Sequence, residues 1–446
     1  MSGTVAERLI AAGMSEPEAR AKAVSFGELE RQLPASKSQA MRWFVPGRIE
    51  VLGKHTDYAG GRSLLCATER GFCVAAVSRE DNVVQITDAL RGQGCKFSIT
   101  AELPIPDSAW RLYPAIVARR LARNFPGELR GADIALVSDL PPAAGMSSSS
   151  SLVVAMYTVL STLNGLSERD EYRANIINNE DLAGYLGCIE NGQTFKSLTG
   201  DAGVGTFGGS EDHTAILCSE PQCLKQYSFC PVRLEQTLPF PGDCAFVIGV
   251  SGVVADKTGS ANARYNQASQ GVRSILELWR GASGSKAATL AEAGSSSPDS
   301  SDKIRSMLRD AVGKDANSAW LLDRFEQFWK ESEEIIPRAS AALLRNDLRG
   351  FGELVQKSQF AAESLLRNQV PETIWLAEAA LSLGAYAASA FGAGFGGSVW
   401  ALVPCAEAAQ FARSWQKMYE CSSHMAAASS KFFVTSAGPS LVRLSN

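Results

Sequence analysis

Leu140-Pro-Pro-Ala-Ala-Gly-Met-Ser-Ser-Ser-Ser-Ser151 is the stretch whose reading decides the fold. Ahead of it, residues 132–138 (Ala-Asp-Ile-Ala-Leu-Val-Ser) have strand character, and the apolar run 152–160 behind it suits a helix or a second strand. The serines select the helix. Serine favours helix N-caps, and a small-residue turn feeding a helix start aims several backbone N–H groups outward at the positive end of the dipole. That arrangement binds anions such as phosphate. A flexible Ser-rich linker or an ordinary capped turn competes with this interpretation, and the stretch alone does not separate them.

Composition narrows the field. With 446 residues, 45% of them apolar, the chain can bury a large core and form two domains. A net charge of -4 with scattered basic residues argues against nucleic acid or an anionic membrane as the main partner. No apolar run reaches membrane-spanning length, and Met1-Ser-Gly-Thr-Val-Ala-Glu-Arg8 lacks the layout of a signal peptide, so a cytoplasmic location is expected. Ten Cys without a C-x-x-C pair and only three His give little basis for a disulfide framework or a zinc site.

Outward from the serine run, residues 1–40 read as one or two amphipathic helices. Arg48-Ile-Glu-Val51 alternates as a half-buried strand does, and it leads into Lys54-His-Thr-Asp-Tyr-Ala-Gly-Gly61 before the strand-like run 63–78. A Lys, a His and an Asp on one loop between apolar strands suggest function; a solvated hairpin tip with an exposed Lys–Asp pair is the alternative. Residues 83–99 suggest further strands, 108–121 a helix with Trp110 near its start, and 173–193 another helix carrying Glu190. Gly200-Asp-Ala-Gly-Val-Gly-Thr-Phe-Gly-Gly-Ser-Glu-Asp-His213 ends with two carboxylates beside a His, which suits catalysis unless Asp212 only caps the next turn. Past a strand at 244–251 and a helix bearing Tyr265, residues 281–285 and 294–301 read as polar loops. Helices over 303–367, a Gly-rich turn at 392–397 and a closing helix and strand complete an α+β pattern without a βαβ repeat.

Three signatures now stand in order: Pro46-Gly-Arg48 with Gly53-Lys-His-Thr-Asp-Tyr-Ala-Gly-Gly61, Pro142-Ala-Ala-Gly-Met-Ser-Ser-Ser149, and Gly392-Ala-Gly-Phe-Gly-Gly397. Together they resemble the three motifs of the GHMP small-molecule kinases, and the first resembles the galactokinase branch of that family. Trp110 with Tyr113, and Lys257 to Asn266, follow in family order. The resemblance implies a ribosomal-protein-S5-like N-terminal domain (1–205, to which the last strand can return) and a ferredoxin-like C-terminal domain (206–446). It further implies ATP and Mg²⁺, and transfer of phosphate to the anomeric hydroxyl of galactose or a similar sugar by a monomer or weak homodimer. Ala144, Gly145, Ser147, Ser148 and Ser149 would hold the triphosphate, Trp110 would face the adenine, and Ser149 and Glu190 would hold Mg²⁺. No Walker A sequence occurs, so backbone amides would do the work of its lysine. Asp212 is the expected base with Glu211 as fallback, and Arg48 its partner; Lys54, His55, Asp57, Tyr265 and Gly394 are the expected sugar contacts.

Departures from the pattern bear on the sugar. Lys54 stands where the family has glutamate, and Glu50 where it has asparagine. Either Lys54 meets a carboxylate on a uronic-acid substrate, or it pairs with Glu50 and the substrate is neutral, the second being preferred because the exchanges look compensatory. Amino sugars, other small alcohols, and a sugar and ATP sensor without turnover complete the alternatives. The spacing from Glu190 to Asp212 is longer than usual, and Ser389-Ala-Phe391 replaces the family's Arg-x-Thr.

Overall fold

The computed structural model describes residues 3–33, 40–107, 109–255, 261–313 and 318–444. Lys257 and Ser108 lie outside them. Thirteen strands are present among the described residues: β1 (Met41–Leu52), β2 (Arg62–Ser78), β3 (Val83–Asp88), β4 (Gln93–Ser98), β5 (Ala132–Ser138), β6 (Cys223–Ser228), β7 (Arg233–Pro239), β8 (Cys244–Val250), β9 (Ala387–Phe391), β10 (Ser398–Pro404), β11 (Lys431–Thr435), β12 (Ala437–Gly438) and β13 (Val442–Arg443).

They form two sheets. The first runs β13-β1-β2-β5-β3-β4, with β6, β7 and β12 joined on through β2. All its pairings are antiparallel except β3 with β5, which run parallel. Strand β2 shows why it sits at the centre. Its residues alternate between two apolar layers, Phe72, Val74 and Ala76 facing the main core while Cys73, Ala75 and Val77 face the N-terminal helices Val5–Ala11 and Glu16–Gln32. Helices Ala109–Asn124 and Ser148–Leu163 contribute to the main core on its other side. The sheet draws on both sides of residue 205, since β6, β7, β12 and β13 come after it.

The second sheet runs β11-β8-β10-β9, all antiparallel. Numbered within this unit, the order is 4-1-3-2 with helices after its first and third strands, the ferredoxin-like arrangement. One face, with Val247, Ala390, Val399 and Ala401, packs on helices Pro371–Ser382 and Ala408–Glu420; the other, with Phe246, Ile248, Trp400 and Leu402, joins the main core. Two sheets with helices packed on them make this an α+β molecule, as the sequence pattern predicts.

A separate cluster of helices packs around Ile275, Leu290, Ile304, Leu321, Phe325 and Phe328 and reaches Ala59 of the loop after β1. Part of the segment expected as loop over 294–301 is helical, because helices Leu290–Ser295 and Ser300–Ala311 run into it. Gly294 is the reason the first can dock: an added Cβ there would meet the Trp329 ring at 2.1 Å.

Candidate active site

Strand β1 delivers the first two groups. Its polar positions are not the solvent face that alternation suggested: Arg48 and Glu50 are 4% and 3% exposed. They face a cavity instead of water. Two cavities adjoin here. The larger, about 300 Å³, is lined by Trp110, Tyr113, Leu136, Leu140, Pro142, Gly145 and Ser147 to Ser149. The smaller, about 50 Å³, is lined by Glu50, His55, Asp57, Ser150, Glu190, Glu211 and Tyr265 among others. Arg48, Asp212 and Ala393 belong to both walls.

The serine loop shapes the larger cavity. Helix Ser148–Leu163 begins after Ser147, which takes a left-handed conformation (φ 60°) and makes no side-chain cap. Ser147 thus leaves the amides of the first turn uncapped, and its own buried hydroxyl lacks a hydrogen-bond partner. This orphaned donor beside uncapped amides fits a phosphate. Gly145 has φ 76°, and an added Cβ would meet the Phe391 carbonyl at 2.8 Å, so the serine loop and the 392–397 turn close on each other through glycine. Ser398 Oγ donates to the Ala144 carbonyl at 2.6 Å, so Ala144 braces this contact from behind the wall.

At the junction the Arg48 guanidinium donates from Nε to Asp212 Oδ1 at 2.8 Å, with Nη2 2.7 Å from the same oxygen, and from Nη1 to the Gly145 carbonyl. Burial opposes the arginine's charge, but Asp212, Glu211 and Glu50 outweigh it and hold its pKa above the ordinary value. Asp212 lies in the first turn of helix Glu211–Cys218, whose N-cap, Ser210, has no side-chain bond; Asp212 does not act as a cap. Glu211 turns into the wall, accepting from Ser63 Oγ at 2.7 Å, and burial followed by Glu50 and Asp57 pushes its pKa well up. The serine beside Glu190 is Ser150, not Ser149. Its hydroxyl donates to Glu190 Oε2 at 2.8 Å and to Asp212 Oδ2 at 3.2 Å. His213 Nε2 lies 3.2 Å from the same Glu190 oxygen, without hydrogen-bond alignment. Among the described residues no three His, Cys, Asp or Glu side chains cluster to hold a metal unaided. Two carboxylates and a hydroxyl do suit Mg²⁺, a hard cation usually completed by phosphate oxygens and water.

The loop after β1 is buried, not a solvated tip. His55 (φ 58°) sets Nδ1 2.9 Å from Tyr58 Oη and Nε2 3.1 Å from the Ala393 carbonyl, with the Tyr265 ring 5.2 Å away. Asp57 accepts the Glu211 amide at 3.1 Å. Lys54 departs from both readings made for it. It is absent from the cavity wall and makes no ion pair with Glu50 among the described residues; its ammonium donates to Ser389 Oγ at 2.8 Å and Ser358 Oγ at 3.3 Å. Gly394 packs on Asn368 outside both walls, where Gly392 and Ala393 take its place. Three groups were not legible as site residues, Ser150 and the pair Arg324 and Gln327, while Glu50 was read only as a partner for Lys54. Arg324 Nη2 donates to the His55 carbonyl at 2.6 Å and Gln327 Nε2 to the Lys54 carbonyl at 3.1 Å, and the i, i+3 spacing of two polar residues on the buried face that Leu321, Phe325 and Phe328 share was the available sign.

A buried arginine–aspartate pair between an anion-binding helix start and a polar recess is the layout of a phosphotransferase site. Residues 112–188 match the GHMP kinases N terminal domain and residues 339–421 the GHMP kinases C terminal. Both GHMP kinase domains are thus matched in this chain. It is galactokinase-like: residues 34–78 match the galactokinase galactose-binding signature. It is 27% identical over 366 residues to the galactokinase of Roseiflexus sp. (80% of this chain, 82% of that one) and 26% identical over 392 residues to that of Streptomyces coelicolor (86% and 90%). The crystal structure of Lactococcus lactis galactokinase complexed with galactose superposes with a TM-score of 0.75 at 22% identity, covering 94% of this chain and all of that one.

Proposed function

We propose that the protein is an ATP-dependent sugar kinase that phosphorylates the anomeric hydroxyl of galactose or a closely similar sugar. The observation that carries this reading is the Arg48–Asp212 pair at the junction of the two cavities. The apolar wall with Trp110 and Tyr113 suits adenine, and Gly145 with Ser147 to Ser149 suits the phosphates. Asp212 accepts the hydroxyl proton as the sugar oxygen bonds to the γ-phosphorus and the bond to the bridging oxygen breaks, releasing ADP. Arg48 orients the Asp212 carboxylate and balances charge on the transferring group. Glu190 with Ser150 would hold Mg²⁺, which neutralises phosphate charge when bound.

His55, Asp57 and Tyr265 read the sugar's hydroxyls. The uronic-acid alternative is not favoured, because the Lys54 ammonium is engaged by two serines and the recess is lined by Glu50, Asp57, Glu190 and Asp212. No described helix is long and apolar enough to cross a membrane. The reading includes a cytoplasmic enzyme working as a monomer or weak homodimer, which sizing chromatography checks. ADP release across a sugar panel, with and without Mg²⁺, tests the whole: turnover of galactose supports it, and ATP and galactose binding without ADP overturns it.

A further inference from the structure

The proposed reaction leaves two carboxyl groups of the recess without a task, and of these Glu211 is bonded to Ser63 while Glu50 has an oxygen to spare. Glu50 projects from β1 two residues after Arg48 and is 3% exposed. Its Oε2 accepts the Gly392 amide at 3.2 Å, while Oε1 is buried with no hydrogen-bond partner. A buried carboxylate oxygen left unpaired is costly, and a wall position gives a ligand the means to satisfy it. The neighbouring charges restrict which ligand. Glu50, Asp57, Glu190 and Asp212 line the recess against the single guanidinium of Arg48 on its wall, so an anionic substituent is repelled. Lys54 lies off the wall with its ammonium held by Ser358 and Ser389, so its charge acts on Glu50 from behind and it presents no donor to a ligand in the recess.

We propose that Glu50 is a specificity-determining residue, whose Oε1 accepts a hydrogen bond from a donor group of the sugar, a hydroxyl or an ammonium, at a position away from the anomeric centre. This rests on the sugar-kinase reading and adds to it which side chain selects the substrate and for what chemistry. A site built to pair with a hydroxyl rejects the analogue lacking it, since the acceptor is then left buried and bare.

The test is a substrate-deletion cycle at pH 8. Wild type, Glu50→Gln and Glu50→Leu are assayed for ADP release with galactose, its 2-, 3-, 4- and 6-deoxy forms, galactosamine and galacturonate. For wild type, one deoxy sugar should fall roughly tenfold to a hundredfold below galactose in kcat/KM. In Glu50→Leu that gap should close while the other gaps stay. Galactosamine matching or exceeding galactose would mark the amino position as the partner, and galacturonate should be the poorest substrate. Glu50→Gln, nearly equal in shape, keeps the test open if the leucine variant fails to fold. Gaps unchanged in a folded variant, or a uniform loss across all sugars, overturn the proposal. Should wild type release ADP with no sugar, the kinase reading fails instead, and the same cycle read by binding calorimetry still decides the role of Glu50.

Discussion

Arg48 Nη2 and Asp212 Oδ1 lie 2.7 Å apart, joining the first strand of one sheet to the first turn of a helix 164 residues further on. Two donors of one guanidinium reach the same oxygen, a geometry lysine cannot reproduce. Asp212→Asn should lower kcat by about 10²- to 10⁴-fold, the range of general-base removal, and should also lower Tm, because the buried Arg48 guanidinium loses its nearest counter-charge. Arg48→Lys should lose a comparable share while leaving ATP binding measurable. Stopped assays of ADP, with thermal melts on the same samples, check both; full activity in Asp212→Asn would remove it as the base.

Ser150 bridges Glu190 and Asp212, and Ser149 does not. Ser150→Ala should therefore raise the Mg²⁺ concentration for half-maximal rate by about tenfold, in line with losing a group that orients a metal ligand. A Mg²⁺ titration of Ser149→Ala beside it decides which serine serves the metal.

Gly145 cannot carry a side chain where it stands. Gly145→Ala combines a positive φ with a collision against the Phe391 carbonyl, and should cost about 1–3 kcal/mol of stability. The KM for ATP should rise more than that for the sugar, because the displaced loop is the one facing the phosphates; initial-rate kinetics with each substrate varied in turn measure the difference.

Glu50 should tie stability to pH. Burial, only partly countered by Lys54 and Arg48, pushes its carboxyl from the ordinary 4.5 up to about 7. Between those two values the folded protein holds a proton that the unfolded chain has released. On this group's account stability is therefore greatest at acid pH, falls as pH rises from about 4.5 to about 7, and is level above. Glu50→Gln removes the slope, so the Tm of the variant minus that of wild type should grow between pH 5 and pH 8. An equal difference at both pH values would assign the slope elsewhere.

Lys54 should matter to the fold more than to the sugar. Lys54→Met strands the hydroxyls of Ser358 and Ser389 and should cost about 1–3 kcal/mol, while the KM for galactose changes little. Galacturonate turnover that depends on Lys54 would restore the carboxylate-pairing account.

The phosphate loop was legible because its signal is local: apolar strand, small-residue turn and helix follow one another within residues 132–160. The Arg48 and Asp212 roles came from motifs. What the sequence hid were directions. A residue along a helix turns the side chain by about 100°, and without the true start of helix Ser148–Leu163 the choice between Ser149 and Ser150 was open. The left-handed turn at His55 likewise sends Lys54 away from its loop neighbours. Strands β6 and β7 went unread because the outer one is exposed at all but one position and carries no apolar alternation. Arg324 was hidden for another reason: it meets His55 across 269 residues, and no periodicity encodes that distance.

The pairing of β13 with β1 and of β12 with β2 carries a consequence for biosynthesis. Residues 437–443 close backbone positions on β1 and β2 that lie far earlier in the chain: Trp43 and Phe44 through β13, Ala67 and Thr68 through β12. Synthesis in order of sequence leaves those edge groups bare while everything between is made, and a bare strand edge is a template for pairing with another chain.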